Sequence, residues 1–316
     1  MADTRFQILS LDGGGIRGLF SAAVLASIEE DLATRVVDHF DLLVGTSTGG
    51  IIALGLASGM RPREIVDFYL SAGPRIFGDP WGLRWFQHWI RRKYSQHPLR
   101  EALQNCFEHK TLGECTTRVV IPSYSLGDDD VYLFRTPHHE RLRRDWRVPL
   151  WKVALATSAA PTFFPCSRDV DKLRLIDGGV WANNPTMVGI VEAHVTLAVP
   201  LNAIAVFSIG TTNALNGRRP SLDSGGKLPW VARYDAVDVI MRGQSLGVNN
   251  QASLLLGKDG VERWDPTVPA GAFSLDGADR VEDLIGKAAH YSRIHMHRFK
   301  ELFTSHRATA YEPHYR

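Results

Sequence analysis

The segment Asp41–Gly50, DLLVGTSTGG, leads from an apolar run directly into a serine surrounded by glycines. Leu42–Val44 has the composition of a short buried strand, and Ile51–Ala57 reads as an apolar helix. Between them, Gly45–Gly49 fits the G-x-S-x-G pattern of a nucleophile elbow, a tight strand-to-helix turn that exposes the serine hydroxyl. Because ordinary glycine-rich turns fit this pattern too, Ser47 is a candidate nucleophile only if the chain also supplies an oxyanion hole and a base.

A second glycine cluster, Asp12–Gly18, follows the predicted strand Phe6–Leu11. Gly13, Gly15 and Gly18 satisfy the G-x-G-x-x-G pattern of dinucleotide-binding proteins, which place an acidic residue at the end of the second strand to bind the ribose. Here the second strand ends in the serine turn, and the nearby aspartates precede that strand. A nicotinamide-dependent enzyme is therefore the weaker alternative.

The glycine cluster has a second interpretation that fits the serine turn. Exposed backbone N–H groups at a helix N-terminus stabilise negative charge, and beside a nucleophilic serine that charge is the oxyanion of a tetrahedral intermediate. We therefore expect Gly13, Gly14 and Gly15 to form an oxyanion hole. Arg17 lies in the same loop, where it either supports the glycine backbone, adds positive potential or simply points into solvent.

A candidate base lies 130 residues after Ser47, at the end of another short predicted strand. Leu173–Ile176 leads into Asp177-Gly178-Gly179, and functional groups in open α/β sheets collect outside the carboxyl ends of strands. Asp-Gly is also a common turn pair, so this motif on its own predicts a turn more often than a catalytic residue. The case for Asp177 depends on its combination with the two glycine motifs.

Together these motifs closely resemble those of the patatin-like phospholipases: DGGGIRG at Asp12–Gly18, GTSTGG at Gly45–Gly50 and DGG at Asp177–Gly179. Two further stretches, ATSAAPTFFP at Ala156–Pro165 and VWANNP at Val180–Pro185, are similar to that family as well. The matching order extends over roughly residues 6 to 211, which makes coincidence a poor explanation.

The resemblance implies a single three-layer α/β domain over residues 1–316, with a central, mostly parallel sheet, catalytic blocks within 6–211 and a helical C-terminal portion over 228–305. It also implies a Ser-Asp dyad, in which Ser47 is the nucleophile, Asp177 is the base, and water hydrolyses an acyl-enzyme. The expected activity is a phospholipase A that acts on membrane glycerophospholipids without a metal or cofactor. A catalytically silent lipid- or nucleotide-binding protein is the other open alternative.

Composition and charge agree with this expectation. Lys and Arg (36) nearly balance Asp and Glu (34), and the net charge of +2 is too low for a protein dedicated to a nucleic-acid polymer. No apolar run reaches the span of about 20 residues that a membrane helix needs. The first residues lack the apolar region of a signal peptide, and the 3 cysteines form no C-x-x-C pair. We therefore expect a cytoplasmic protein that is peripheral at the inner face of the membrane.

A catalytic triad would need a histidine, but none of the 12 histidines follows a predicted strand in these motifs. His295 and His297 have a spacing that could bind a metal, although no cysteine or carboxylate pattern completes a site. We expect surface or packing roles for the histidines and no metal centre.

The segment Ile76–Tyr94 combines tryptophans at helix-like spacing with three consecutive basic residues. Tryptophan next to cationic side chains is typical of an element that docks on a membrane interface. A lid packed on the domain fits the same pattern and is slightly favoured, and the two roles are compatible. The residues concerned are Trp81, Trp85, Trp89, Arg91, Arg92 and Lys93.

Short bacterial chains of this kind also resemble the lipases of anti-phage systems, which cyclic nucleotides switch on. That likeness implies a cyclic nucleotide as a candidate activator. Met241–Gln251 is rich in groups that could bind a base or a phosphate, although a polar helix face is the simpler interpretation. The expected partners are thus a phospholipid membrane surface, a candidate cyclic nucleotide activator and, as an open possibility, a second copy of the chain.

Overall fold

A computed structural model describes residues 5–77, 94–215, 235–269 and 280–316, together with Asp223, Gly225, Ala272, Phe273, Leu275 and Gly277. The aromatic and basic residues from Trp81 to Lys93 lie outside the described residues. Within the described ranges, no helix combines the length and the apolar character that a membrane crossing requires.

A mixed sheet of seven strands forms the centre of the fold, in the spatial order β4-β3-β2-β1-β6-β8, with β5 paired to β3. The pairings β1–β2, β1–β6, β2–β3 and β6–β8 are parallel, and β3 pairs antiparallel with β4 and β5. A separate parallel pair joins β7 to β9. The strands are β1 Phe6–Leu11, β2 Leu42–Gly45, β3 Arg118–Ser125, β4 Asp130–Arg135, β5 Leu175–Asp177, β6 Ile204–Ile209, β7 Asn213–Leu215, β8 Val261–Trp264 and β9 Thr267–Pro269.

Helices cover both faces of this sheet. The helices are α1 Gly18–Leu32, α2 Thr48–Ala57, α3 Pro62–Phe77, α4 His97–Phe107, α5 Leu150–Thr157, α6 Gly179–Ala182, α7 Thr186–Val191, α8 Asp235–Leu256 and α9 Val281–Phe303. Every residue of α2 is buried, which explains why its sequence is apolar all round. By contrast, α9 is amphipathic and packs on α1.

Side chains alternate between two cores along the central strands, as strand geometry requires. Leu9 and Leu11 of β1 belong to the larger core, to which α1, α2 and α9 contribute. Ile8 belongs to the smaller core on the opposite face, which includes Ile190 of α7 and Ala252 of α8. The predicted three-layer architecture with a mostly parallel central sheet is thereby confirmed.

The strands β2 and β5 lie one after the other along the same edge of β3. Val44 of β2 pairs with Val120 in a parallel register, and Asp177 of β5 pairs with Ser123 in an antiparallel register. Because β2 and β5 run in opposite directions along that edge, their carboxyl ends point toward each other. This arrangement brings the turn after β2 next to the last residue of β5.

The predicted strands before residue 211 are confirmed, with ends that shift by at most two residues. The region over 228–305 contains the long helices α8 and α9, but also β8 and β9, which the sequence analysis did not predict. In a strand of only four residues, the alternation of apolar and polar side chains is too short to distinguish the strand from a turn. This strand, β8, extends the central sheet and brings Arg263 to the carboxyl end of β1.

Candidate active site

Ser47 occupies a strained turn between β2 and α2. Its backbone angles are φ 56° and ψ −121°, a combination that residues other than glycine rarely adopt. The turn packs tightly against the end of β1, since a Cβ atom on Gly49 would lie 2.2 Å from Leu11 O. Only glycine fits at position 49, and this close approach holds the elbow in place.

The hydroxyl of Ser47 donates a 2.6 Å hydrogen bond to Asp177 Oδ2. The other carboxylate oxygen of Asp177 accepts the Gly179 N–H at 2.7 Å, which fixes the orientation of the carboxylate. The Ser47 N–H donates to Thr157 Oγ1 at 3.0 Å, and Thr157 in turn donates to Pro122 O at 2.6 Å. The backbone of Ser47 and the carboxylate of Asp177 are therefore both held by bonds from other residues of the site.

Both members of this pair lie in a largely water-free environment. Ser47 is 9% exposed and Asp177 is 5% exposed. Burial raises the pKa of Asp177 from 3.8 to about 6, although the hydrogen bonds from Ser47 and Gly179 oppose the rise. The carboxylate is thus a stronger base than an exposed aspartate and is still mostly ionised at neutral pH.

No histidine among the described residues hydrogen-bonds to Ser47 or Asp177. The buried His138 lies 3.0 Å from Glu192, and His306 lies 2.7 Å from Asp41. Both histidines have structural partners of their own. In the part of the chain that the structure describes, no group of three or more histidine, cysteine or acidic residues is placed to bind a metal.

The glycine loop lies directly against the serine. A Cβ atom on Gly13 would lie 3.2 Å from Ser47 Cβ, so the loop backbone and the nucleophile are in contact. The Gly13 N–H donates to Asn183 O at 3.0 Å, whereas the N–H groups of Gly14 and Gly15 have no hydrogen-bond partner among the described residues. The structure thus differs from the sequence expectation of three available donors, because one of them fastens the loop to its neighbour.

The side chain of Arg17 binds the backbone of this loop. Its Nε donates to Gly14 O and its Nη1 donates to Thr212 O, each at 3.4 Å. These long bonds link the loop to the segment after β6. Of the three roles considered from the sequence, support of the glycine backbone is the one that these contacts favour.

Three consecutive residues, beginning with the last residue of α6, connect the parts of the site. Ala182 O accepts a 2.6 Å hydrogen bond from Thr46 Oγ1 of the elbow. Asn183 O accepts the Gly13 N–H of the glycine loop, as described above, and the backbone of Asn184 pairs with the side chain of Gln244 from α8. The segment after Asp177 is therefore a junction between the elbow, the glycine loop and α8.

The motifs of this site are recognisable in the sequence, but several residues that hydrogen-bond to them are not. Thr157 and Asn183 fall inside stretches that the resemblance covers, yet nothing in their local pattern indicates a bond to Ser47 or Gly13. Gln244 lies in the polar run Met241–Gln251, whose helical spacing suggested a solvent-facing surface. Arg263 carries no local signal, since a single arginine on a short strand is common.

Comparisons with known proteins bear on the family and the fold of this chain. A family described as patatin-like phospholipase matches residues 9–190. A protein of Pseudomonas aeruginosa named cGAMP-activated phospholipase is 35% identical over 281 residues, which cover 87% of this chain and 83% of that protein. A protein of the same name from Escherichia coli is 36% identical over 232 residues, which cover 69% of this chain and 65% of that protein.

Among solved structures, VipD from Legionella pneumophila has a similar fold. The TM-score is 0.50 at 12% sequence identity, and the alignment covers 96% of this chain and 67% of VipD. At that identity the likeness concerns the fold alone.

Proposed function

Because this chain belongs to the patatin-like phospholipase family, we propose that it is a serine acyl hydrolase that releases fatty acid from membrane glycerophospholipids. The observation that carries the proposal is the 2.6 Å hydrogen bond from Ser47 Oγ to the buried carboxylate of Asp177, beside a glycine loop. The experiment that tests it is fatty-acid release from defined phospholipid vesicles, measured by mass spectrometry. An absence of release from every phospholipid and short-chain ester tried, both alone and in the presence of cyclic dinucleotides, would contradict the proposal.

The dyad can perform the reaction in two half-reactions. Ser47 Oγ attacks the ester carbonyl carbon while Asp177 accepts the hydroxyl proton. The tetrahedral intermediate then collapses, and the alcohol oxygen of the lysophospholipid leaves with that proton. In the second half, water attacks the acyl group and gives its proton to Asp177. The fatty acid is released as Ser47 Oγ takes the proton back.

The N–H groups of Gly14 and Gly15, which have no hydrogen-bond partner among the described residues, are suited to stabilise the oxyanion of both intermediates. They lie in the loop that contacts Ser47, and the loop leads into the short helical turn Gly15–Arg17 and then α1. Backbone donors held in a buried site are fixed before the reaction begins, so they stabilise developing charge without a cost of reorganisation. The positive end of the helix macrodipole adds to the same effect.

Substitution of Gly14 tests this assignment. A Cβ atom at position 14 would lie 2.1 Å from Thr211 Oγ1, so Gly14→Ala must displace the loop. The loss of one oxyanion donor costs about 3–4 kcal/mol, and we expect kcat to fall roughly a hundred- to a thousandfold with little change in KM. The measurement is steady-state hydrolysis of a soluble ester.

The matched control for that variant is Gly286→Ala, in the second turn of α9. A Cβ atom there has open space around it, so kcat should stay unchanged. If Gly14→Ala raised KM and left kcat alone, the loop would bind a headgroup and would not be an oxyanion hole.

The pH dependence of turnover should follow the ionisation of Asp177. Only the ionised carboxylate accepts the Ser47 proton, and burial raises the pKa of Asp177 to about 6. We expect kcat/KM for a soluble ester to rise with pH through about 6 and then to reach a plateau. A profile that is flat from pH 5 to 8 would show that another group serves as the base.

The relatives named cGAMP-activated phospholipase support the further proposal that a cyclic nucleotide activates this chain. Two of them share 35% and 36% identity with it. Such activation would suit an anti-phage effector, since a membrane-degrading enzyme must stay inactive until infection. The vesicle assay should therefore be run with a panel of cyclic dinucleotides. Equal rates with and without every member of the panel would contradict activation by this class of ligand.

We propose that the segment of residues 81–93, which lies outside the described residues, docks on the membrane. Each basic side chain near an anionic surface contributes about 1 kcal/mol, so neutralising Arg91, Arg92 and Lys93 should weaken vesicle binding roughly a hundredfold. Added salt should have a similar effect on the unaltered protein, because salt screens the attraction.

Co-sedimentation with anionic vesicles at low and high salt measures this effect. Hydrolysis of a soluble short-chain ester is the control, and it should persist because Ser47 and Asp177 are unchanged. Unaltered vesicle binding in the triple variant would leave the segment with the role of a packed lid.

A further inference from the structure

Helix α8 contacts the loop that follows the candidate base. The Asn184 N–H donates to Gln244 Oε1 at 3.0 Å, and Gln244 Nε2 donates to Asn184 O at 3.3 Å. A third bond runs from Asn184 Nδ2 to Ser245 O at 3.4 Å. One glutamine side chain thus satisfies both backbone groups of a residue that is only 1% exposed.

The next residue of α8 contacts the start of the glycine loop. Ser245 Oγ donates to Asp12 Oδ2 at 3.3 Å. The Asp12 carboxylate also accepts two bonds from Arg263 of β8, at 2.8 Å from Nη1 and 2.6 Å from Nη2. Asp12 is the residue immediately before Gly13, and its own N–H donates to Ile209 O at 3.0 Å.

Arg263 ties this carboxylate to two other segments. Its Nη1 donates to Ser208 Oγ of β6 at 2.7 Å, and its Nη2 donates to Asp265 Oδ2 at 3.1 Å. A planar guanidinium that binds a carboxylate through two nitrogens fixes its orientation as well as its position. Removal of such a partner leaves a buried charge uncompensated, so we expect the loss of Arg263 to displace Asp12 and the glycine loop that follows it.

Two adjacent residues of one helix therefore touch both halves of the site. Gln244 binds the loop after Asp177, and Ser245 binds the residue before the glycine loop. The positions of these two loops set where the proposed oxyanion donors and Asp177 lie relative to Ser47. A misplacement of about 1 Å at a catalytic group can cost roughly a hundredfold in rate.

We propose that α8 acts as a clamp that sets the separation between the glycine loop and the loop after Asp177. The positioning residues are Gln244 and Ser245 of α8 and Arg263 of the neighbouring strand β8. The effect of the clamp on turnover rests on the proposed acyl hydrolase function. The geometric part of the proposal, that α8 holds the two loops in place, stands on the contacts alone.

The test compares Gln244→Ala and Ser245→Ala with Gln251→Ala. Gln251 is two turns further along α8, is exposed, and makes no side-chain hydrogen bond within the described ranges. It therefore controls for the loss of a glutamine from this helix. We expect kcat on a soluble ester to fall roughly tenfold to a hundredfold in the two clamp variants, with KM within about twofold, and to stay unchanged in Gln251→Ala.

Arg263 provides a graded variant of the same test. Lysine keeps the charge but cannot bind Asp12 through two fixed nitrogens, so Arg263→Lys should retain more activity than Arg263→Met. Because Arg263→Met removes the only cation that pairs with Asp12 among the described residues, it is the variant with the greatest risk of misfolding. The Gln244 and Ser245 variants keep the test decisive in that case.

Hydrogen–deuterium exchange separates the clamp from the catalytic proposal. Exchange should be faster in peptides covering residues 10–19 and 178–186 of Gln244→Ala and Ser245→Ala, and unchanged in Gln251→Ala. Exchange in both loops that matches the unaltered protein would overturn the clamp, whatever the activity does. If the unaltered protein hydrolysed no ester, the proposed function would fail, and exchange would still decide whether α8 positions the loops.

Discussion

Ser47→Ala should abolish ester hydrolysis while leaving the fold intact. The substitution removes the hydroxyl oxygen that donates to Asp177 Oδ2 and keeps the backbone and Cβ atom of the elbow. Loss of the nucleophile in a serine hydrolase costs about 10⁵–10⁶ in kcat, and the residual rate comes from binding and the oxyanion hole. The measurement is fatty-acid release from vesicles together with far-UV circular dichroism.

A second substitution at the same position controls for folding. The backbone of Ser47 has φ 56°, which is strained for serine and alanine but accessible to glycine. Ser47→Gly should therefore be as inactive as Ser47→Ala and more stable, by roughly 1–3 kcal/mol of released strain. Substantial turnover in a clean preparation of either variant would show that Ser47 is not the nucleophile.

Asp177→Asn should also inactivate the protein, with a loss of about 10⁴ in kcat. The amide has nearly the same shape as the carboxylate and can still bond to Ser47 and Gly179, but it cannot accept the Ser47 proton. Because the dyad acts as a unit, the double variant Ser47→Ala, Asp177→Asn should be no slower than Ser47→Ala alone. Losses that add in the double variant would indicate independent roles.

Asp177→Asn alone should also stabilise the folded protein at neutral pH. Burial raises the pKa of Asp177 above its unfolded value, so protonation stabilises the folded state at low pH, and that stabilisation is lost as the pH rises through about 6. Above that pH the buried charge is a cost that the neutral asparagine avoids. We expect a higher Tm for Asp177→Asn than for the unaltered protein at pH 8, and a smaller difference at pH 4.

Local sequence was sufficient to predict the elements that carry the dyad. The apolar runs before Ser47 and Asp177 are strands, and both residues lie at the carboxyl ends that the pattern indicates. The direction of β5 was not predictable from the sequence. Its antiparallel pairing with β3 joins residues about fifty positions apart, and neither strand has a residue pattern that indicates this pairing. That pairing is what turns Asp177 toward Ser47.

The bonds that support the site were hidden for a related reason. Gln244 and Ser245 lie in a polar run of the kind that forms a helix face, and a polar face usually meets solvent. Here it meets the backbone of Asn184 and the carboxylate of Asp12, which come from distant parts of the chain. Sequence patterns report what one segment prefers, whereas these bonds depend on which segments meet in the fold.

The N–H group of Gly13 is a further feature that the sequence pattern alone could not predict. The motif predicts a loop with exposed N–H groups, and it cannot tell which of them the protein uses for itself. The structure shows the Gly13 N–H bound to Asn183 O, so the proposed oxyanion donors are those of Gly14 and Gly15. Substitutions at Gly14 therefore test the oxyanion hole more directly than substitutions at Gly13.

The central claim is that Ser47, activated by Asp177, is the group that attacks the ester. The most direct measurement is peptide mass spectrometry of the protein after reaction with a fluorophosphonate, with the rate of labelling recorded across pH 4 to 8. The account predicts one covalent adduct, on the peptide that contains Ser47, with a rate that rises through pH 6. An adduct on another residue, or an unlabelled Ser47 in a preparation that hydrolyses phospholipid, would contradict it.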